Sequence, residues 1–214
     1  MLKAIVLGGS KGIGRAIAVS LSKIGCNVVA TSRKQIDTSN LTSVKKFVKK
    51  HKQTDILILN TGGPPPKPFS QVTEKEWQKY HNQLFLGFCI ILQRLKISDG
   101  GYVFVITSGV IKEPNPKLVI SSAYRLAFTS VFKLVSKELA ARQISCINIA
   151  PGLINTDRLR ELGTSTDLVK NIPMKRLGEP REIGDFIKGI VENNVKYLSG
   201  ITITFDGANS NFIL

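Results

Sequence analysis

Short apolar, largely β-branched runs recur along the chain and alternate with helix-length amphipathic stretches. Strands buried on both faces read as continuous apolar runs, whereas a helix with one buried side returns its apolar residues every three or four positions. The runs Ala4–Leu7, Val28–Thr31, Ile56–Leu59, Tyr102–Ile106, Ser145–Ile149 and Ile201–Phe205 are therefore predicted to be strands. The stretches Gly12–Ile24, Leu41–Lys52, Glu74–Lys96, Ile120–Arg142 and Pro180–Glu192 are predicted to be helices. Such alternation predicts a parallel sheet with right-handed crossovers. Ligands of these sheets gather at the carboxyl ends of the strands, so the residues after each strand carry the chemistry. The segment Gly62–Pro68 is proline-rich but sits at a strand end, and reads as a rigid loop. With no linker and no internal repeat, residues 1–214 are expected to form one domain.

Leu7-Gly8-Gly9-Ser10-Lys11-Gly12-Ile13-Gly14 follows the first predicted strand and opens a helix. Three needs call for glycine there: unusual φ values, close backbone approach to a pyrophosphate, and tight packing of helix on strand. Gly8, Ser10, Lys11, Gly12, Ile13 and Gly14 are expected to hold a dinucleotide diphosphate. The fold class is read as α/β, a Rossmann-type doubly wound parallel sheet.

Composition and charge narrow the picture. Apolar residues make up 43% of the chain and charged residues 21%, as in ordinary globular proteins. No apolar run approaches the roughly 18 residues needed to span a bilayer. The N-terminus runs straight into the glycine motif without the apolar region of a signal peptide, so a cytoplasmic protein with no membrane association is expected. Cys26, Cys89 and Cys146 are odd in number and widely spaced, which suits free thiols, with no disulfide or metal site. The net charge of +15 attracts phosphates. The lysines are dispersed and no basic motif is interleaved with aromatics, so nucleic acid is not the expected partner.

Several motifs in order make the chain similar to the short-chain dehydrogenase/reductase family, over nearly all its length. Gly8, Gly12 and Gly14 match that family's Thr-Gly-x-x-x-Gly-x-Gly turn, with Leu7 in the Thr place. Leu59-Asn60-Thr61-Gly62 resembles its Asn-Asn-Ala-Gly segment, and Ser108 falls on its catalytic Ser. Asn148-Ile149-Ala150-Pro151-Gly152, with Thr156, matches the segment beside the nicotinamide. Pro173 to Pro180 and Asp206-Gly207 match its C-terminal third. The resemblance implies that Asn60, Thr61, Gly62, Pro151, Gly152, Ile154 and Thr156 line the cofactor cleft.

The second predicted strand ends in Thr31-Ser32-Arg33, without the acidic residue that accepts from the ribose 2′-hydroxyl of NAD. Lys11 and Arg33 are instead expected to meet a 2′-phosphate beside Ser32. NADP(H) is the expected cofactor and NAD(H) the alternative. Asp37-Thr38 stands where the family touches adenine, only three residues beyond Arg33. The family's next helix and strand do not fit in that interval, so an edge strand and its helix are expected to be missing.

The catalytic positions depart from the family. Its Tyr position falls on Ser121, its Lys position on Arg125 and its Asn position on Leu84, so Ser108 alone is kept. A serine hydroxyl is a far weaker acid than a phenol, and a guanidinium does not relay protons. Tyr124 and Lys112 are the candidate substitutes, Lys112 as a donor if desolvated. The set resembles an atypical branch of the family, similar to β-ketoacyl-carrier-protein reductases. The loop Leu153 to Ile172 is expected to form a mobile cover over the substrate; its Arg158 and Arg160 either favour an anion or are plain surface charge, and Glu161 and Leu168 identify no ligand.

Two functions remain open. One is an oxidoreductase acting on a small-molecule ketone or secondary alcohol, a 3-oxoacyl thioester among the options. The other is a non-catalytic dinucleotide-binding sensor or structural subunit. A homodimer or homotetramer joined through Glu74–Lys96 and Ile120–Arg142 is expected from the resemblance.

Overall fold

In the computed structural model, which describes residues 1–161 and 166–212, six parallel strands form one sheet. They are β1 (Lys3–Val6), β2 (Asn27–Ala30), β3 (Gln53–Leu59), β4 (Lys96–Ile106), β5 (Ser145–Pro151) and β6 (Ile201–Phe205), in the order β2-β1-β3-β4-β5-β6. The helices are α1 (Gly12–Lys23), α2 (Leu41–Lys50), α3 (Glu74–His81), α4 (Gly87–Arg94), α5 (Val119–Ala140), α6 (Asp157–Glu161), α7 (Thr166–Asn171) and α8 (Pro180–Glu192). This is the expected Rossmann-type α/β architecture.

Successive strand residues feed opposite layers. Ala4, Val6, Ile56, Ile58, Phe104 and Ile147 pack with Ile17 and Leu21 of α1 and with Ile183 and Ile187 of α8. Ile5, Leu7, Leu57, Leu59, Val103 and Cys146 pack with Phe47 of α2, Phe88 of α4 and Phe128 and Phe132 of α5. With both faces covered, the strands lack polar alternation.

β2 is the sheet edge, and among the described residues the chain passes from Ala30 to α2 without another strand or helix. Ser32 closes a turn on Gln35, and Asn40 caps α2 by accepting from the Thr42 and Ser43 amides at 3.0 and 3.1 Å. The expected loss of one edge strand and its helix is thus observed.

The expected single helix Glu74–Lys96 is corrected. A π turn at Asn82–Leu86 separates α3 from α4, and α4 ends at Arg94. Lys96 already belongs to β4, which pairs with β3 at Gln53↔Lys96 and Thr54↔Ile97 before an irregularity. Hydrogen bonding to a neighbouring strand overrides the helical pattern there. Between Leu153 and Ile172 the chain forms two short helices, α6 and α7, where a loop was expected. Residues 162–165 of that segment, and the side chains of Glu161 and Leu168, lie outside the described residues.

Candidate functional site

The carboxyl ends of β1, β3, β4 and β5 converge on one cleft. At its base, Gly8 and Gly12 adopt φ values of 59° and 55°, in the left-handed region that favours glycine. A Cβ at Gly14 would overlap the Gly8 carbonyl oxygen, and one at Gly8 would stand 2.8 Å from Asn60 Nδ2. Asn60 itself donates to the Leu7 and Gly8 carbonyls at 3.2 and 3.4 Å, tying the loop after β3 to the glycine turn. On the far side, a Cβ at Gly12 would meet the Thr156 methyl at 3.5 Å. The segments around Gly12 and Thr156 therefore lie side by side.

The N-terminus of α1 fits a bound diphosphate. Its first intrahelical bond is Arg15 N to Lys11 O, so the amides of Gly12, Ile13 and Gly14 have no acceptor within the helix. Lys11 stands at the cap position without a capping hydrogen bond, and the first turn holds no acid. A cation there opposes the helix dipole unless an anion lies between them. Ser10 and Lys11 are exposed, and Ile13 is half-buried against the core.

At the end of β2, Ser32 is engaged with Gln35 through its amide and hydroxyl, and its oxygen accepts from the Lys34 amide. Arg33 pairs through Nε with Asp37 at 3.0 Å, and its terminal nitrogens take no part in that bond. Burial pushes the Asp37 carboxyl upward, but hydrogen bonds from the Ser39 hydroxyl and amide, with the bond and charge of Arg33, outweigh it and leave it below its ordinary range. Asp37 is thus a turn-builder. Thr38 is buried, and its Oγ1 lies 3.4 Å from Thr61 Oγ1.

Arg125 joins three segments at the carboxyl end of the sheet. It is buried, on α5, where the Lys position of the resemblance falls. Its Nε donates to Ser121 Oγ at 3.1 Å, Nη1 to the Ile106 carbonyl at 3.0 Å and Nη2 to the Thr61 carbonyl at 3.4 Å. One side chain therefore joins α5, the end of β4 and the loop after β3. Burial alone lowers its pKa to about 10, so it stays charged at neutral pH. A guanidinium has no acceptor, so it fixes Ser121 Oγ as the recipient of this bond and leaves the serine proton free to be donated elsewhere. Ser108 follows β4, half-buried, and its Oγ accepts from the Val110 amide at 3.5 Å.

Both sequence-derived substitutes for the phenol lie in other surroundings. Tyr124 packs edge-on against Trp77, with ring centroids 5.6 Å apart, and against His81 at 5.5 Å. Burial raises its pKa, making it a poorer acid. Lys112 is exposed, with Nζ 5.0 Å from the centroid of Phe212. The desolvation that would make it a donor is not met, because it follows a short 3-10 turn at the surface rather than entering the cleft.

Gln83 was missed by sequence reasoning. The π turn adds a residue to the helix and rotates the following side chains. Leu84, the expected counterpart of the family's Asn, is buried with Tyr80 and Ile120. Gln83 is also buried, and its amide donates to the Gly62 carbonyl at 2.7 Å and to Thr61 Oγ1 at 3.3 Å. The available signal was an amide placed directly before the apolar stretch Leu84–Leu92. On the opposite wall, Pro151 and Ile154 are buried, and a Cβ on Gly152 would stand 2.7 Å from Asp206 Cβ. Thr156 caps α6 through Oγ1, accepting from the Leu159 amide at 3.3 Å. Arg158 donates to the Pro64 carbonyl at 3.3 Å, and Arg160 is engaged with Asn155 and Asp157.

Comparison with known proteins gives a consistent result. A family model described as Enoyl-(Acyl carrier protein) reductase matches residues 36–208. The 3-oxoacyl-[acyl-carrier-protein] reductase FabG of Aggregatibacter actinomycetemcomitans is 25% identical, over 95% of this chain and 97% of its own. The structure of 3-ketoacyl-(acyl-carrier-protein) reductase from Brucella melitensis complexed with NADH superposes with a TM-score of 0.87 at 21% identity, covering 98% of both chains. A blue fluorescent protein from a metagenomic library, in complex with NADPH, superposes at 0.85 and 20% identity, again covering 98% of both chains.

Proposed function

The chain belongs to the short-chain dehydrogenase/reductase family, and on that premise we propose that it is a nicotinamide-dependent oxidoreductase interconverting a ketone and a secondary alcohol. The observation that carries this reading is the α1 N-terminus, where Gly8, Gly9 and Gly14 leave no room for side chains and the first turn has neither a capping side chain nor an acid. The amides of Gly12, Ile13 and Gly14 would hold the diphosphate. Asp37 and Thr38 would border the adenine, and Asn60, Thr61, Gly62, Pro151, Gly152, Ile154 and Thr156 the nicotinamide half. NADP(H) is preferred in this proposal, because Lys11 and the free edge of Arg33 offer cations to a 2′-phosphate and Ser32 offers no carboxylate to a 2′-hydroxyl.

When bound, a nicotinamide supplies or accepts the hydride. Ser108 and Ser121 would hold the reacting oxygen through their hydroxyl protons, with Arg125 fixing the orientation of Ser121. Positive charge directly behind Ser121 strengthens its hydroxyl as a donor where negative charge develops on the substrate oxygen. The proton that completes the alcohol would come from water, since neither Tyr124 nor Lys112 stands as a buried donor in the cleft. Thioester-linked 3-oxo groups fall within this substrate class. A cytoplasmic homodimer or homotetramer is the proposed form.

Titration calorimetry with NADPH and NADH, followed by oxidation of NADPH against a carbonyl panel, tests the reading. Cofactor uptake with turnover that falls at least about 100-fold in Ser121→Ala supports it, the size being that of a lost oxyanion donor. The second reading, a non-catalytic dinucleotide-binding protein, draws on the packing of Tyr124 into an aromatic cluster. It is favoured if NADPH binds and no carbonyl in the panel is reduced.

A further inference from the structure

β2 is an open edge of the sheet, with β1 as its one neighbouring strand. In a parallel pair, alternate residues turn both backbone groups toward the neighbour and the others turn theirs away. Asn27 and Thr31 donate to the Leu2 and Val6 carbonyls at 2.8 and 2.9 Å, so Val28 and Ala30 turn their amides and carbonyls outward. β2 keeps its register from Lys3↔Asn27 to Val6↔Ala30 without a bulge, and it carries neither proline nor charge. Bulges, prolines and charges are the usual means of closing an edge.

A groove of about 500 Å³ runs between this strand and α1. Ala18, Val19, Val28 and Ala30 supply its apolar lining, and Arg15, Ser22 and Lys23 its polar lining. Arg15, Val19 and Lys23 are exposed, Val19 by 48%. No acid lines the groove. Asp185, whose charge reaches Lys23, is already bonded to Ser20 and Arg181. Two cations and an apolar surface therefore lie beside outward-facing backbone donors and acceptors.

We infer that the outer edge of β2, with the flank of α1 beside it, is a docking site for an acidic peptide that adds a strand to the sheet. Main-chain bonds to Val28 and Ala30 hold such a strand, and its side chains select it. Arg15 and Lys23 are eight residues apart on α1, about 12 Å along its axis. Strand residues four apart share a face and are roughly 13 Å apart, so acids on one face of the peptide reach both cations. No aromatic residue lines the groove to stack a base, which disfavours single-stranded nucleic acid. A second copy of this chain brings the same two cations and the same net charge of +15, which opposes pairing edge to edge. The site does not rest on the oxidoreductase reading.

The test uses the full-length protein and a fluorescein-labelled peptide of alternating glutamate and valine, about eight residues long so that it runs past the four of β2. Fluorescence anisotropy reads its binding, and hydrogen exchange reads the Val28 and Ala30 amides. Binding is expected, with slower exchange at both amides. A peptide with lysine in place of glutamate, and the glutamate peptide with every amide N-methylated, are each expected to bind at least about tenfold more weakly. The double variant Arg15→Glu, Lys23→Glu, checked for folding by thermal unfolding, is expected to weaken the glutamate peptide at least about tenfold. No binding up to about 1 mM peptide, which is negligible affinity, overturns the inference. So do equal binding of either control peptide, unchanged exchange at Val28 and Ala30, and wild-type affinity in the folded double variant. An oligothymidylate that binds wild type as tightly as the peptide, and loses that binding in the double variant, makes the groove a nucleic-acid site and overturns it too. Self-association in sedimentation that the double variant alters assigns the edge to a second copy, with the same consequence.

Discussion

Arg125 illustrates how little a single substitution in a motif reveals in one dimension. From the sequence it is a cation at a position where the family carries another cation. In the fold it is the buried junction of α5, β4 and the loop after β3. Its neighbour in sequence, Tyr124, points into a separate aromatic cluster, because adjacent helical residues are turned about 100° from each other. Two single-residue predictions separate the ends of the cleft. Arg33→Ala is expected to weaken NADPH about tenfold, the worth of one charge-assisted contact, and to leave NADH within about twofold. Titration of both cofactors checks this, and an equal loss for the two would remove Arg33 from the 2′-phosphate. Gly14→Ala puts a methyl group into the Gly8 carbonyl and is expected to cost about 3 kcal/mol of stability or more, measured by urea unfolding.

Among the elements, the helices differ in how tightly they are seated. α8 packs closely on α1: a Cβ at Gly184 would stand 2.8 Å from both the Ala16 carbonyl oxygen and Ser20 Oγ. One turn and a half further on, a Cβ at Gly189 meets nothing within 4 Å. The two positions make a matched pair in one helix. Gly184→Ala is expected to destabilise by about 1–3 kcal/mol by forcing α8 from α1. Gly189→Ala is expected to stabilise by about 0.5–1 kcal/mol through helix propensity alone. Denaturant midpoints of the two variants decide it. The π turn between α3 and α4 is the element with the greatest consequence for the site. It turns Gln83 onto the loop after β3 and Leu84 into the apolar cluster. A periodic apolar stretch such as Leu84–Leu92 supports a continuous helix equally well, so the inserted residue is invisible to pattern reading.

For the whole molecule, charge is the dominant property. With a net charge of +15, NADPH affinity is expected to fall several-fold as salt rises from about 50 to 500 mM, because screening shortens the attractive field. Acid also acts on the fold as a whole. The Arg176 bond, with the Glu179 amide, holds the Glu182 carboxyl down at about 2, so its contribution to stability is complete above its unfolded value of 4.5. That contribution is lost as pH falls from 4.5 through about 2, and the melting temperature should decline over that window. Arg176→Ala is expected to flatten part of the decline. The sequence by itself determined the parallel sheet, the glycine turn, the absent edge strand and most element positions. Each of these follows from local constraints: side-chain periodicity, a turn that excludes Cβ atoms, and too few residues between Arg33 and Asp37 to form a further strand and helix. Only the tertiary structure decided that Lys96 leaves the helix for β4, that Gln83 bonds the loop after β3, that Tyr124 packs in an aromatic cluster while Lys112 lies exposed, and that among the described residues no carboxylate pairs with Arg125. Those outcomes depend on which groups distant segments bring within hydrogen-bonding distance, and on how much water they exclude there.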